Sequence, residues 1–423
     1  MSLLKKIFPV LRPINSFAVI ILLLMSCSND LDVLFPEWDN GLLNDTTPLT
    51  SDMKTRFEGI YNVTQGSSQF GNTVVVQWNR DYLTIYTGKN TGYFLMQGGQ
   101  LGNTVYVQGL WRYQNNAETG LTQFKMTEGA DYVLGISSDS SAIVLTGTWG
   151  NNQNTPQESV VLQFVRPIKP ELLQNKYYII SHHGSGGGPE YLQQTENTIE
   201  IAKIIERYGA NGFETDVRLS KDGIPFMYHD NALNPRLVQK GSLIGEPENY
   251  TFKELQSFVR LIHGEQIPSL EAMLDAIVTE TTLEFVYVDL KSTSQPGLTT
   301  IASICEAARQ KAASLNRDIE IYMALTTDDL LNAFLALPNY QDIPTICELS
   351  IDDLQQANSH VWSPRFTDGT QNSEVQSLHD QGRKAITWTV NIPDQVYTFL
   401  QEGIFDGMLT DYPAQLAYFY YSQ

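Results

Sequence analysis

Cysteine, basic charge and long apolar runs are all scarce in this 423-residue sequence. Its three cysteines are too few for a disulfide framework, and Cys305 and Cys347 lie in apolar patterns typical of buried core thiols. With 27 Lys and Arg against 47 Asp and Glu, the chain lacks the basic surface that nucleic-acid binding requires, so we expect no nucleic-acid partner. After Cys27, no stretch is apolar over the length that a bilayer span requires.

The first segment of the chain has the pattern of an export signal. Three basic residues precede the apolar run FAVIILLLMS, which ends at Cys27 and is too short for a comfortable membrane span. The sequence Leu-Met-Ser-Cys at 24–27 resembles a bacterial lipobox, which implies lipidation of Cys27 after removal of residues 1–26. We therefore predict an exported lipoprotein, anchored in a membrane by its N-terminal lipid at the periplasmic face or the cell surface. An uncleaved anchor helix is the alternative.

Composition divides the next part of the chain into a tether and an all-β domain. Residues 27–52 are polar and turn-rich, which predicts a tether. Residues 53–167 consist of short alternating runs such as TVVVQWN and YLTIYTG, which predict an all-β sandwich or an up-and-down barrel. This segment contains no histidine, no cysteine and no dense carboxylate cluster, so we assign no chemistry to it.

Strand-like and helical patterns alternate from residue 168 to residue 423. The strand-like runs, among them YYIIS, GFETDVRL, IPFMYH and LEFVYVDLK, number about eight, as in a (β/α)₈ TIM barrel. An open doubly wound sheet is the alternative, although it rarely contains so many parallel strands. The predicted fold class is therefore α/β, with a C-terminal TIM barrel preceded by the all-β domain.

Polar residues concentrate at the ends of the predicted strands, where TIM-barrel enzymes carry their active sites. The residues in question are His182, His183, Glu214, Asp216, His229, Asp289, Lys291 and Trp388. Three carboxylates at one rim repel one another, so a divalent cation bound by Glu214, Asp216 and Asp289 is the simplest remedy. Ligation by oxygen favours Ca²⁺ or Mg²⁺ over Zn²⁺.

A glycine run, GSGGG at 184–188, follows two adjacent histidines. No Gly-Lys-Ser/Thr sequence comes after it, so it is not a nucleotide-binding P-loop. We expect a loop over the barrel mouth, with His182 as the functional residue of this stretch.

Short motifs occur in a fixed order along the barrel region. They are His182-His183-Gly184, Glu196-Asn197-Thr198, Glu214-Thr215-Asp216, Asp222-Gly223 and His229-Asp230, followed by IPSLEAML, WTVN and DGMLTDYP. Together they resemble the glycerophosphodiester phosphodiesterase family, within the phosphatidylinositol-phospholipase-C-like barrels, over about residues 177–420. The resemblance implies a phosphoric diester hydrolase with one divalent cation. Its expected substrates are glycerophosphodiesters, or related lipid-derived phosphodiesters, which it would cleave to an alcohol and glycerol phosphate.

The resemblance also implies a role for each site residue. His182 and His229 are the expected general acid/base pair, because two imidazoles can remove one proton and donate another near neutral pH. Lys291 would neutralise the phosphate, and the three carboxylates would hold the metal. The residues expected to contact the substrate are His183, Glu196, Asn197 and Trp388, the last as a stacking wall or merely as a core residue.

Two positions depart from the family pattern. His183 stands where the family has a phosphate-binding arginine, and a histidine lacks the permanent charge and the bidentate fork. Asp289 stands where most of these enzymes have glutamate, and its Asp-x-Lys context is similar to the related sphingomyelinase D branch. Three alternatives therefore stay open. They are a sphingomyelinase D-like phospholipase, a surface lipoprotein that binds phosphodiesters or glycans without turnover, and a glycosidase, which would leave the histidine pair unexplained.

Overall fold

The computed structural model of the chain describes residues 34–38, 42–116, 118–139, 142–184 and 192–423. The predicted signal peptide, the predicted lipidation site Cys27 and positions 185–188 of the glycine run lie outside the described residues. Within the part that is described, no helix combines the length and the apolar character that a transmembrane span needs.

The first domain is a closed antiparallel β-barrel, so the barrel is the observed form of the predicted all-β domain. Each strand from β2 to β8 pairs with the next strand in the chain, and β9 pairs back with β2. The short strand β1 is added at the edge of β5. The strands are β1 Thr47–Pro48, β2 Gly59–Gln65, β3 Thr73–Asn79, β4 Tyr82–Thr87, β5 Gly92–Leu101, β6 Thr104–Tyr113, β7 Thr119–Glu128, β8 Val144–Trp149 and β9 Glu158–Arg166.

Alternation along strand β3 shows how this barrel is packed on both faces. Val74 and Val76 belong to the apolar barrel interior, whereas Val75 belongs to an apolar core that continues into the second domain. Successive residues of a strand point to opposite faces. All three side chains are fully buried, because both faces of β3 are covered by apolar side chains. Three short helices accompany the strands: α1 Ser51–Phe57, α2 Ser67–Phe70 and α3 Ala130–Val133.

The second domain is a closed barrel of eight parallel strands, which confirms the predicted TIM barrel. Strand β10 pairs with both β11 and β20, and this double pairing closes the ring. The barrel strands are β10 Tyr178–Ser181, β11 Gly212–Leu219, β15 Phe285–Leu290, β16 Glu320–Leu325, β17 Thr345–Cys347, β18 Val361–Trp362, β19 Lys384–Thr387 and β20 Gly407–Thr410. Two further strands, β13 Val238–Gly241 and β14 Val259–Leu261, form a separate antiparallel pair.

One predicted barrel strand, IPFMYH, is not part of the ring. It forms β12, Pro225–Met227, which runs antiparallel to the end of β11. The five residues between β11 and β12 are enough for an antiparallel return but too few for the crossover that a parallel strand requires. The eighth ring strand is instead β18, whose two residues are too short to produce a strand pattern in the sequence. His229 thus reaches the site on a hairpin return and not at the end of a third barrel strand.

Five of the described helices of the second domain begin at a Ser or Thr whose side chain caps the first turn. Ser269 precedes α7, and its hydroxyl accepts a hydrogen bond from the Ala272 N–H at 3.1 Å. The helices are α4 Pro170–Gln174, α5 Ile199–Ala202, α6 Phe252–Phe258, α7 Leu270–Glu280, α8 Gln295–Ser314, α9 Asp328–Leu335, α10 Ile351–Ala357, α11 Asn372–His379, α12 Pro393–Glu402 and α13 Pro413–Tyr421. Single 3₁₀ turns lie at Ile205–Tyr208, Pro247–Asn249, Tyr340–Asp342 and Phe366–Asp368.

The two barrels share one apolar core. Tyr93 of β5 packs edge-on against Tyr208 of the second domain, with ring centroids 5.0 Å apart. The hydroxyl of Thr84 donates to the carbonyl of Arg207 at 2.6 Å. Helix α13 lies against strands β3, β4 and β5 of the first barrel. The boundary predicted near residue 167 falls between the end of β9 and the start of α4, but the domains on either side of it are firmly packed together.

Part of the predicted tether 27–52 is bound to the first barrel. The indole Nε1 of Trp38 donates to the carbonyl of Gly109 at 2.9 Å, and the guanidinium of Arg112 lies 4.7 Å from the centre of the Phe35 ring. Leu49 is buried in the barrel interior. The described residues of this segment therefore contribute to the folded body.

Candidate active site

Three imidazoles meet at the carboxyl ends of the barrel strands. The ring centroids of His182 and His183 are 3.6 Å apart, and those of His183 and His229 are 4.7 Å apart. The carboxylates that were predicted to hold a metal lie beside them. Side-chain ligand atoms lie within 4.8 Å of one another in three overlapping groups: His182, His183 and Glu214; His183, Asp216 and His229; and Glu214, Asp216 and Asp289.

His182 is held by a carboxylate from the last barrel strand. Its Nδ1 lies 2.7 Å from Oδ1 of Asp411, which directly follows β20. Burial alone would raise the pKa of Asp411, but the hydrogen bond and the charge of His182 hold that pKa below its ordinary value. An ionised Asp411 accepts a hydrogen bond from the Nδ1–H of His182, which leaves the other ring nitrogen for proton exchange.

His229 has an equivalent partner in the next residue. Its Nδ1 lies 2.8 Å from Oδ1 of Asp230, and the guanidinium of Arg236 donates to both oxygens of Asp230 at 2.6 and 2.9 Å. Although burial opposes ionisation, hydrogen bonds from Arg236, His229 and Asn234 lower the pKa of Asp230 below its ordinary range. His229 is thereby oriented in the same way as His182.

Glu196 holds the arginine that binds the His229–Asp230 pair. Both of its carboxylate oxygens accept hydrogen bonds from Arg236, at 2.7 and 2.8 Å, and its side chain is only 3% exposed. The sequence predicted a substrate contact for Glu196. The structure places it behind Asp230, where it fixes the guanidinium that orients His229.

The carboxylate cluster formed by Glu214, Asp216 and Asp289 fits a cation. Oδ1 of Asp289 is buried and accepts no hydrogen bond. Burial raises the pKa of Asp289 to about 6, and the negative charges of Asp216 and Glu214 add to the effect, against the pull of Lys291. A buried carboxylate oxygen without a donor, beside two further carboxylates, is costly unless positive charge satisfies it. These three residues could therefore hold a divalent metal.

Lys291 lies between two of these carboxylates. Its Nζ is 2.9 Å from Oδ1 of Asp216 and 2.6 Å from Oδ2 of Asp289. Burial disfavours its charge, but the two carboxylates raise the pKa of Lys291 above its ordinary value. A permanently charged ammonium group therefore borders the predicted metal site.

The mostly buried ring of His183 faces two of the carboxylates. Its Nδ1 lies 2.9 Å from Oδ2 of Asp216 and 3.1 Å from Oε2 of Glu214, and its side chain is 14% exposed. Its φ of 53° is left-handed, and its backbone N–H donates to Oε2 of Glu214 at 2.9 Å. Gly184 continues the turn with a φ of 80°, where a Cβ would come within 2.6 Å of the Phe213 ring.

Asn197 is buried and holds a predicted metal ligand in place. Its amide Nδ2 donates to Oδ2 of Asp216 at 2.8 Å, while its Oδ1 accepts from the Asp216 N–H and the Thr215 hydroxyl, at 2.9 and 2.7 Å. Three hydrogen bonds thus tie the side chain to the Thr215-Asp216 pair. Asn197 therefore positions Asp216, and its contact with the substrate stays a prediction.

Trp388 is partly exposed at the end of β19. Its indole N–H donates to the carbonyl of Ser363 at 2.8 Å, and the guanidinium of Arg365 lies 4.7 Å from the centre of its ring. The ring also packs against the apolar cluster inside the barrel. Trp388 therefore combines a core contact with an exposed surface beside the mouth.

Three residues at the site were missed by the sequence reasoning. Asp411 orients His182, Arg236 binds Asp230, and Glu348 directly follows β17. Glu348 accepts a hydrogen bond of 2.5 Å from the hydroxyl of Tyr287, and burial raises the pKa of its carboxyl group to about 8. Asp411 and Glu348 obey the strand-end rule that selected the other residues, so that rule could have found both.

The closed barrel and its rim of paired imidazoles, carboxylates and a lysine define an acid/base hydrolase of the TIM-barrel type. A sequence profile described as the glycerophosphoryl diester phosphodiesterase family matches residues 182–415, which is more than half of the chain. The chain belongs to this family and is a phosphoric diester hydrolase.

Individual relatives match the same region. The chain is similar to a glycerophosphodiester phosphodiesterase of Bacillus altitudinis, with 25% identity over 251 residues, which cover 56% of this chain and 94% of the relative. It is also similar to a probable glycerophosphodiester phosphodiesterase 2 of Mycobacterium tuberculosis, with 27% identity over 50% of this chain and 78% of the relative. A solved phosphodiesterase of Oleispira antarctica, in complex with the product sn-glycerol-3-phosphate, aligns with a TM-score of 0.42 and 20% identity. That alignment covers 56% of this chain and 94% of the other.

Proposed function

We propose that the protein hydrolyses glycerophosphodiesters to an alcohol and glycerol phosphate, with His182 and His229 as the acid/base pair and one divalent cation. Two anchored imidazoles at one rim support this function most directly, because each has its Nδ1 beside a carboxylate, at 2.7 and 2.8 Å. A glycosidase would need only the carboxylates and would leave this pair without a role.

Each imidazole serves one half of the proton transfer. Hydrolysis of a phosphodiester requires that one proton leave the attacking hydroxyl or water and that another reach the departing alkoxide. Asp411 and Asp230 hold the rings so that the second nitrogen of each can take or give that proton. The His182–Asp411 and His229–Asp230 pairs lie at the same rim. One can therefore serve the attacking oxygen and the other the departing oxygen of the phosphodiester.

Glu214, Asp216 and Asp289 would hold the cation. An ion bound there offsets the negative charge that develops on the phosphoryl oxygens. Lys291 supplies additional positive charge from beside Asp216 and Asp289. Three carboxylates form an oxygen ligand set that suits Ca²⁺ or Mg²⁺.

A turnover assay on the purified protein tests this function. Glycerophosphocholine, glycerophosphoinositol, a lysophospholipid and sphingomyelin are each supplied with Mg²⁺ or Ca²⁺, and glycerol phosphate and the released alcohol are measured. We expect the wild type to release glycerol phosphate. His182→Ala should abolish this release, and His379→Ala should leave it unchanged. Cleavage of sphingomyelin or the lysophospholipid alone would favour a sphingomyelinase D-like enzyme. Binding without turnover of any diester would favour a non-catalytic surface protein.

The chain would act outside the cytoplasm, as a lipoprotein attached through Cys27. The lipobox-like sequence at 24–27, behind a basic and apolar leader, supports this location. Cys27→Ser should leave the protein without a lipid in a bacterial host that lipidates exported proteins. Mass spectrometry of the N-terminus and membrane fractionation measure the effect, and a variant that still carries lipid would contradict the proposal.

A further inference from the structure

We propose that His183 supplies a nitrogen ligand to the metal centre, so that the site binds Mn²⁺ or Co²⁺ in preference to Ca²⁺. This inference rests on the proposed function, because it assumes that Glu214 and Asp216 are metal ligands. Nδ1 of His183 lies 2.9 Å from an oxygen of Asp216 and 3.1 Å from an oxygen of Glu214. A nitrogen donor therefore lies among the oxygens that would surround the ion.

The backbone keeps the His183 ring in this place. His183 has a left-handed φ of 53°, and its backbone N–H donates a hydrogen bond to Glu214 itself at 2.9 Å. The ring contacts the rings of both His182 and His229, at centroid distances of 3.6 and 4.7 Å. This position limits the reach of His183 toward a phosphate at the mouth, where an arginine would act.

The spacing of the donor atoms suits a small ion. Two ligand atoms at right angles on an ion with bonds of about 2.1 Å lie about 3.0 Å apart, whereas bonds of about 2.4 Å, typical of Ca²⁺, separate them by about 3.4 Å. The nitrogen of His183 is 2.9 and 3.1 Å from its two carboxylate neighbours. The spacing therefore fits a small divalent ion better than Ca²⁺, and it equally fits the hydrogen bonds that a protonated His183 makes to the two carboxylates without metal. The preference for transition ions over Mg²⁺ comes from the nitrogen donor and not from this spacing.

The chemistry of a mixed donor set leads to the same preference. Carboxylates suit Mg²⁺, Ca²⁺ and Mn²⁺, while imidazole suits transition ions and contributes little to Ca²⁺, which takes six to eight oxygens. One imidazole beside three carboxylates therefore favours ions that accept both donors. Mn²⁺ and Co²⁺ meet this condition.

Calorimetric titration of the full-length mature protein with Mn²⁺, Co²⁺, Mg²⁺ and Ca²⁺ tests the preference. We expect His183→Ala and His183→Gln to weaken Mn²⁺ and Co²⁺ binding by roughly 10–100-fold, as loss of a coordinating contact does, and to change Ca²⁺ binding by less than about 3-fold. His182→Ala is the matched control, because the ring of His182 is hydrogen-bonded to Asp411. This variant should leave the affinities for the four ions in their wild-type order.

Pulsed electron paramagnetic resonance of the Mn²⁺-loaded protein gives a readout that does not depend on activity. The expected result is a nitrogen coupling in the wild type and in His182→Ala that is lost in both His183 variants. No nitrogen coupling in the wild type, or a coupling that persists in the His183 variants and disappears in His229→Ala, would overturn the inference. Equal weakening of all four ions would overturn it too. Failure of every ion to bind would refute the proposed metal site itself.

Discussion

Asn197 and Asn391 make the same three hydrogen bonds at two separate places on the barrel rim. Each amide clamps a Thr-Asp pair: its Oδ1 accepts from the Asp N–H and the Thr hydroxyl, and its Nδ2 donates to the Asp carboxylate. Asn391 holds Thr410 and Asp411 with distances of 2.6 to 3.2 Å. One clamp thus fixes a predicted metal ligand, and the other fixes the partner of His182.

These equivalent clamps should have different functional effects. Asn197→Ala frees Asp216, so we expect metal affinity to fall by roughly 10–100-fold. Asn391→Ala frees Asp411, so we expect slower turnover with metal affinity unchanged. Each variant is the control for the other, and calorimetry and initial rates at saturating metal measure the two effects. Equal losses of metal binding in both would contradict the separation of roles.

Asp411 should be essential for the action of His182. Asp411→Asn keeps the size of the side chain but replaces the carboxylate by a neutral amide. The amide does not fix the same tautomer of His182. We expect kcat to fall by roughly two to four orders of magnitude, as in other enzymes that lose the acid behind a catalytic histidine. Steady-state kinetics measure this effect, and circular dichroism checks that the variant is folded.

A second histidine–aspartate pair offers a matched control. His379 and Asp406 are 3.0 Å apart on the barrel wall, outside the candidate site. Asp406→Asn should change thermal stability and leave kcat unaltered. A rate for Asp411→Asn within about 3-fold of the wild type would show that His182 does not exchange protons in the rate-limiting step.

Glu196 should affect stability more than substrate binding. Its carboxylate is bound by Arg236 at 2.7 and 2.8 Å and is almost fully buried. Glu196→Gln weakens this pair, so we expect a lower melting temperature and an unchanged KM for the diester. Thermal unfolding and steady-state kinetics separate the two effects. A raised KM with an unchanged melting temperature would instead support the direct contact between Glu196 and the substrate that the sequence predicted.

The barrel was predictable because its signal is repeated along the chain. Alternating strand and helix patterns predict a ring, and the ring brings the strand ends together without further information. The predicted number of eight ring strands is correct, but one predicted member is wrong. Pro225–Met227 folds back as a hairpin, and the two-residue strand Val361–Trp362 completes the ring instead. A short buried strand leaves too little periodicity to detect.

The partners of the site residues were less predictable. The strand-end rule places a residue at the rim but gives neither the direction of its side chain nor its partner. His182 and Asp411 come from the first and last barrel strands, so only closure of the ring brings them together. Glu196 and Asn197 belong to a motif that suggested substrate contact, yet both are buried behind the residues that face the mouth. The valine run of β3 likewise concealed the interface between the barrels, because both of its faces are apolar.

Glu348 should make the stability of the metal-free protein depend on pH. Burial raises its pKa from 4.5 to about 8, with Asp289 and Glu214 adding to the shift and the Tyr287 hydrogen bond opposing it. A raised pKa means that the folded protein binds this proton more tightly than the unfolded chain does. Its stabilising contribution is therefore complete below about pH 4.5 and is lost as the pH rises to about 8.

Glu348→Gln removes this titration while keeping a group that can bond to Tyr287. We expect the variant to match the wild type near pH 4.5 and to melt at least about 2 °C higher at pH 8 when metal is absent. Bound cation should reduce the difference, because it offsets the charges of Asp289 and Glu214 that raise the pKa of Glu348. Glu402→Gln, at an exposed helix end, is the control and should show no such trend. A variant that is less stable than the wild type at pH 8 would mean that the ionised Glu348 has a stabilising partner, and metal titration of the same variant would reveal whether that partner is the cation.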